Sequence, residues 1–369
     1  TLCPYTTLFR SLMFNLANPT AQYCRFLLLA AFLFSGTSIA GQKLSSAESQ
    51  ESLAESVAVT IETFARAETD RYLKQRVDSG GLSKLYHSRA PVSIDEQPVV
   101  RANRDNLLSY GVFDLTTPVT IVLPDPGERF QSLRAINQDH YIVANTYEPG
   151  AHTFTQEMVG TRYLHLSVRI LVDPDDPEDL SKVHELQDQI SIDQTEAGEL
   201  VLPNWNAEQR DKLRKAIIGL VPFTPDSVRM FGAKHEVDPV KHLIGTAGGW
   251  GGGPTYAAYY ENVTPKSQSG SEVLEVRVDE VPVEAFWSIS VYNADGYFQP
   301  NPYSKGYSIN SVTAKPSEDG SVTIRFGGAP EAENYLHVFE GWNYTIRYYR
   351  PREELRNGDW KFPVPVPTK

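Results

Sequence analysis

The segment YLHLSVRILV, residues 163–172, alternates apolar and polar side chains along its length. That period of two is the mark of a β-strand with one buried face. Working outward, VTIVL (119–123) is a second short run that stops at the turn PDPG (124–127), and SLRAI (132–136) is a third. Short strands at this spacing, bounded by turn residues, predict a small β-sandwich. The pattern then returns after residue 253. Val273–Val278, Phe286–Tyr292, Ser321–Phe326 and Tyr344–Tyr349 read as strands, with Asp295-Gly296 and Asp319-Gly320 as turns between them. These predict a second, larger sandwich, a jelly roll.

Helical signals surround and separate the two β regions. Ser45–Val77 places Leu53, Val57, Ile61, Phe64, Tyr72 and Leu73 on one side and ends at Gly80-Gly81. In the middle, Asp176-Pro177-Glu178-Asp179 supplies an N-cap, a proline at the first helical position and acids in the first turn. Asn206 is expected to cap a helix that buries Leu213, Ala216, Ile217 and Leu220, and Asp238-Pro239 opens a short third one. The fold class is therefore mainly β with a helical insert. In order it has an N-terminal helix, a β-sandwich, a small helical segment and a jelly-roll sandwich.

The N-terminus reads as sequence to be removed. Residues 1–12 begin TLCPYTTLFRS, which fits a translated sequencing adapter. Residues 13–40 fit a secretory signal: Arg25 is the positive region, FLLLAAFLF (26–34) is an apolar run too short to span a bilayer, and cleavage is expected after Ala40. Beyond it, 41–90 is a helix and linker, 91–172 the first sandwich, 173–247 the helical insert and 248–369 the jelly roll. Both cysteines, Cys3 and Cys24, lie in the removed part, so no disulfide supports the exported protein. Discarding Arg10 and Arg25 from the 34 basic residues leaves 32 against 46 acidic ones, a formal charge of −14. Such a balance, without a Lys/Arg cluster, argues against nucleic acid and anionic membranes as partners. The protein is expected outside the cytoplasm, periplasmic or extracellular.

Five ordered stretches resemble a known family. VRANRDNLLSYGVFDL (100–115), DPDDPEDLSKVHELQD (173–188), EVDPVKHLIGTAGGWGG (236–252), FWSISVYNADGYFQPN (286–301) and GWNYTIRYYRP (341–351) look like the paired DUF1254 and DUF1214 domains. The resemblance implies an immunoglobulin-like β-domain, a helical insert and a C-terminal jelly roll. It implies no activity, so no catalytic residue is carried over. Where the family usually has Thr in the first motif, this chain has Asn106.

Familiar chemical motifs fail. There is no Walker A sequence, G-x-G-x-x-G or G-x-S-x-G elbow, and no cofactor is expected. His184-Glu185 starts like a zincin motif, but Asp188 occupies the second histidine's place, and DPDDPED lacks the glycine of a calcium loop, so no metal is expected either. Glycines 248–253 read as a flexible loop presenting Trp250, and His242 as a packed structural histidine.

Two constellations remain. Asn103, Arg104 and Asp105 stand at one strand margin and Asp139, His140 and Tyr141 at another; if they converge, Asp105, Asp139 and His140 form a general acid–base group. Trp287 reads as core. Trp250 and Tyr297, with Asn293 and Asp295 nearby, would make a sugar-stacking platform. These support two functions: a non-catalytic protein binding a polar small molecule or glycan, or an exported hydrolase of a glycan or glycoconjugate that uses water as nucleophile.

Overall fold

The structure, a computed structural model, describes residues 56–97, 101–224 and 226–368. The adapter-like residues, the signal segment and the first part of the helix expected from Ser45 lie outside these. The chain runs α1 (Phe64–Asp78), β1 (Tyr86–His87), β2 (Asn106–Asp114), β3 (Val119–Leu123), β4 (Gln131–Asn137), β5 (Ile142–Thr146), β6 (Gly150–Phe154), α2 (Gln156–Val159) and β7 (Tyr163–Leu171). Next come α3 (Pro177–Gln189), β8 (Ser191–Asp193), α4 (Ala207–Ile218) and α5 (Pro239–Gly249). The C-terminal part holds β9 (Ala258–Val263), β10 (Leu274–Val278), β11 (Trp287–Tyr292), β12 (Ser308–Asn310), β13 (Val322–Phe326), β14 (Tyr335–Leu336), β15 (Asn343–Tyr349), α6 (Glu353–Arg356) and β16 (Val366–Pro367).

The first sandwich sets an antiparallel five-stranded sheet, β1-β2-β7-β4-β5, against a three-stranded one, β6-β3-β8. Strand β7 is the alternating segment at its centre. Leu164, Leu166, Val168 and Ile170 are all buried between the sheets, where Leu133, Phe113 and Ile121 meet them. Strand β8 pairs with β3 from within the mostly helical stretch, and Val183 of α3 joins the same core. In the second sandwich β12-β11-β15-β9 faces β14-β13-β10-β16. Trp287, Ile289 and Ile346 meet Ile324, Phe326 and Trp342 between them. The jelly-roll expectation is met as eight strands in two facing sheets, none closed, with β13 and β14 the one parallel pair. The fold is mostly β, as the alternation demanded.

Helix α1 is shorter than its apolar spacing suggested. It begins at Phe64, while Val57 bridges to Trp205 and both Val57 and Ile61 are exposed. Val57, Val59, Thr60 and Ile61 are all β-branched and disfavour helix before it starts. Helix α4 is rotated from the expected face. Ile217 is buried, but Ala216 and Leu220 are exposed, and Arg210 and Arg214 turn inward. They do so because Glu68 of α1 is wholly buried beneath them, 2.6 Å from the Arg214 guanidinium. The caps are as expected: Asp176, Asn206 and Asp238 each accept backbone N–H bonds at the start of α3, α4 and α5.

Helices α1, α4 and α5 pack together through Phe64, Ile217 and Ile244. This group leans on the outer face of the five-stranded sheet at one end, where Leu73 meets Val112 and Tyr163. The second sandwich abuts the other end of that face, where Leu171 meets Phe286 and Tyr349. The middle of the face lies between the two, and the site is there.

Candidate functional site

The two strand margins do not converge. Asn106 stands opposite Leu171 on β7, while Asn137 stands opposite Leu164. At about 3.3 Å per residue the two margins are roughly 23 Å apart along the strand. Asp105 is wholly buried in the joint between the sandwiches, facing Arg347 with Ser288 and Asn310 beside it. Burial pushes its carboxyl pKa up, against the pull of Arg347. Asn103 donates to the Tyr349 hydroxyl, and Arg104 donates to the Val92 carbonyl and lies 5.6 Å from the centre of the Tyr307 ring. These three residues fasten the joint.

NQDHY (137–141) is the tight turn from β4 to β5. The Asn137 side chain accepts the N–H groups of Asp139 (3.0 Å) and Tyr141 (2.9 Å). His140 adopts a left-handed φ of 65°, and Asp139 turns outward to Arg66 at 2.7 Å. The ring of His140 is engaged at both nitrogens. Its Nε2 accepts the Gly251 N–H at 2.8 Å, so the proton sits on Nδ1 and is donated to Thr246 Oγ1, also at 2.8 Å. Thr246 passes its own proton to the His242 carbonyl. Burial, then the neighbouring His242, holds the His140 pKa well below the usual imidazole value. With its lone pair taken, this ring has no free position for accepting a substrate proton.

Trp250 is likewise committed. The apolar and aromatic rings form a stack: Tyr72 on Trp250 (4.5 Å between centres), Trp250 on His140 (5.5 Å), His140 on His242 (5.6 Å) and His242 on Tyr141 (4.5 Å). The indole N–H donates to Thr69 at 3.1 Å. Gly248 and Gly249 are the last two residues of α5, so the first third of the expected flexible loop is helix. His242 is packed, as expected, with Nε2 donating to the Asp139 carbonyl at 3.0 Å. Asn293 shapes its own turn by accepting the N–H groups of Asp295 (3.1 Å) and Tyr297 (2.9 Å), and Asp295 is exposed. Tyr297 and Trp250 share no ring contact among the described residues, so the sugar platform is not assembled from that pair.

A different group is assembled instead, on the outer face of the five-stranded sheet. Ser167 in β7 pairs with Tyr110 of β2 on one side and Arg134 of β4 on the other. Along β7, His165 and Arg169 flank it on the same face, each about 6.6 Å away by strand geometry. Arg76 of α1 lies 4.3 Å over the Tyr110 ring. His165 is 4 % exposed, and neither ring nitrogen has a hydrogen-bond partner. Burial, then Arg76 and Arg134, lowers its pKa to about 3. Arg134 donates only to neutral acceptors, Asn145 Oδ1 and the Gly251 carbonyl, both at 3.1 Å. Burial, then Arg169, lowers its pKa to about 10. Among the described residues, none of Arg76, Arg134 and Arg169 has a carboxylate partner. Gly253 permits this packing, because a Cβ there would come 2.4 Å from the Arg134 guanidinium.

The second sandwich supplies the facing side. The Arg134 charge acts on the hydroxyls of Tyr260 and Tyr256, and on that of Tyr147 from the first sandwich, and Arg169 acts on Tyr349. Tyr147 and Tyr256 also line an open cleft of about 320 Å³ with Glu284, Arg350, Arg352 and Arg356. Sequence reasoning missed this group. Its one signal, the His-Ser-Arg face of the alternating strand, reads as a solvent face until a second domain is placed opposite it. Among the described residues, no set of three His, Cys, Asp or Glu side chains is arranged to hold a metal, and no helix is long and apolar enough to cross a membrane.

With this geometry in view, comparison with known proteins gives a fold and one domain match. Residues 255–353, most of the second sandwich, match the family described as "Protein of unknown function (DUF1214)". The VPA0106 protein from Vibrio parahaemolyticus has a similar fold: TM-score 0.67 at 17 % identity, covering 84 % of this chain and 98 % of that one. An uncharacterised protein from Burkholderia cenocepacia aligns with TM-score 0.47 at 14 % identity, over 84 % of this chain and 88 % of its own. No curated protein matches.

Proposed function

We propose that this chain is a non-catalytic binding protein for a polar small molecule or glycan, held where the two sandwiches meet. The observation that carries the reading is the cleft of about 320 Å³ at that junction, lined with tyrosine and arginine side chains. Tyr147 comes from the first sandwich and Arg350 from the second, with Arg350 lying 4.6 Å over the Tyr147 ring. Sites of this kind, with flat rings and a few fixed polar groups between domains, suit polar ligands. The hydrolase alternative loses its support in the geometry, since Asp105 and His140 are far apart and His140 is already engaged at both nitrogens. A DUF1254-like first half and export through the signal segment belong to the same proposal. They rest on the motifs at 100–115 and 173–188 and on residues 13–40; protein recovered outside the cytoplasm would begin at Gly41.

The test is a thermal-shift and titration panel of neutral sugars, oligosaccharides and small organic acids. At least one compound should bind saturably, and Tyr147→Ala or Tyr256→Ala should weaken it about tenfold while the protein stays folded. If nothing binds, or binding ignores both tyrosines, the reading is wrong. Turnover of a glycan or ester by wild type, lost in His140→Gln at unchanged melting temperature, would restore the hydrolase.

A further inference from the structure

We infer that the outer face of the five-stranded sheet is an oxyanion subsite centred on Ser167, so that the ligand carries a carboxylate, sulfate or phosphate group. This deepens the reading above and rests on it. Three arginines share this face with Ser167: Arg134 opposite it on β4, Arg169 two residues along β7, and Arg76 of α1 over the ring of Tyr110, which stands opposite it on β2. An arginine drawn partly out of water is ordinarily paired, and these three are half-buried. This chain has 46 acidic residues against 34 basic ones, yet among the described residues none of them partners these three. By contrast the wholly buried Glu68 is met by Arg71 and Arg214, both within 2.7 Å. The empty cluster is therefore a place where like charges are held together with no anion of the protein's own. His165 supplies the independent observation. It is more than nine-tenths buried, faces the same side of β7 as Ser167 and Arg169, and has both nitrogens without partners. Buried polar groups are seldom left so.

An oxyanion over Ser167 answers each of these features. Arg134 and Arg169 would donate to its oxygens in the two-pronged manner that suits planar and tetrahedral oxyanions. The Ser167 hydroxyl and one protonated nitrogen of His165 add neutral donors, and Arg76 adds charge from the helix side. Tyr147 and Tyr256, whose hydroxyls feel the Arg134 charge, also line the cleft and so connect the subsite to it.

The experiment is titration calorimetry at low ionic strength with inorganic sulfate, inorganic phosphate and malonate, and with an uncharged oligosaccharide as a separate arm. At least one anion should bind saturably with one site per chain, and Arg134→Gln and Arg169→Gln should each weaken it by about tenfold or more. Arg277→Gln, an exposed arginine paired with Asp319 on the far sandwich, should leave affinity unchanged. Which probe binds best separates planar from tetrahedral groups. A second variant guards against misfolding: Ser167→Glu places a carboxylate among the three arginines. It should raise the melting temperature and abolish anion binding. Equal stabilisation by every salt in wild type and Arg134→Gln/Arg169→Gln alike would overturn the assignment, as would a Ser167→Glu protein that melts lower and still binds. If only the oligosaccharide binds, dependent on Tyr256 and indifferent to both arginines, the anion subsite is wrong and the cleft reading stands. If no probe of either kind binds, both fall.

Discussion

His140, His165 and His242 share one physical situation at three positions. Each is held neutral in the fold, chiefly by burial, with its pKa below the ordinary imidazole value. The sign of the consequence follows from linkage. As pH falls below about 6.5 the unfolded chain takes up protons that the folded chain refuses, so stability present above that pH is lost on acidification. For His165 the loss continues down to its folded value of about 3. Each such histidine contributes a slope of up to about 1.4 kcal/mol per pH unit within its window. Urea unfolding between pH 7 and 5 should therefore show a shallower pH dependence in His165→Gln than in wild type. Comparing the two cancels the carboxylates common to both. Identical slopes would mean that His165 is charged in the fold or titrates normally there.

At the scale of elements, α5 matters because its C-terminus delivers Trp250 and the glycines that pack on Arg134. Its start is fixed by Asp238, whose Oδ1 accepts the N–H groups of Val240 and Lys241, both at 3.0 Å, with Pro239 in the first turn. Those bonds hold the Asp238 pKa below the usual carboxylate range. Asp238→Ala should lower the melting temperature by about 2–4 °C, and Asp238→Ser should recover most of that. A Ser variant as unstable as Ala would show that the side chain does something other than cap. The cap was legible because Asp-Pro before an apolar run has a local cause. The inward face of α4 was not, because the partner of Arg210 and Arg214 is Glu68, some 140 residues earlier in the chain.

Across the whole molecule, the joint between sandwiches depends on Arg347. From β15 it donates to Ser290 at 2.8 Å, to the carbonyls of Arg101 (2.9 Å) and Ala102 (3.3 Å) and to the Tyr292 hydroxyl at 2.5 Å. It thereby ties the segment leading into β2 to the second sandwich, and its charge pulls against the burial that raises the pKa of nearby Asp105. Arg347→Met should cost about 3–5 kcal/mol in chemical unfolding, since it removes the donor to four acceptors in a dry interior. Asp105→Asn should cost less, because burial already favours the neutral acid there. An Arg347→Met protein within about 1 kcal/mol of wild type would show that the joint is held by its aromatic contacts, with Phe130 of the first sandwich against Phe286 (5.2 Å) and Tyr349 (5.6 Å) of the second foremost.

The alternation of residues 163–172, the proline-marked caps and the apolar runs after residue 273 determined the strands, the helix starts and the mostly β class. Each is a short-range preference: side chains two apart share a strand face, and a carboxylate reaches N–H groups two or three residues on. The ring stack around Trp250 and the arginines around Ser167 were beyond such reasoning. A polar strand face looks the same in sequence whether water or another domain lies against it. His165, Ser167 and Arg169 became a site only because α1 and the second sandwich close over the two ends of their sheet. That closure brings Arg76 from ninety residues upstream and Tyr260 from ninety downstream, and only packing over those separations decided it.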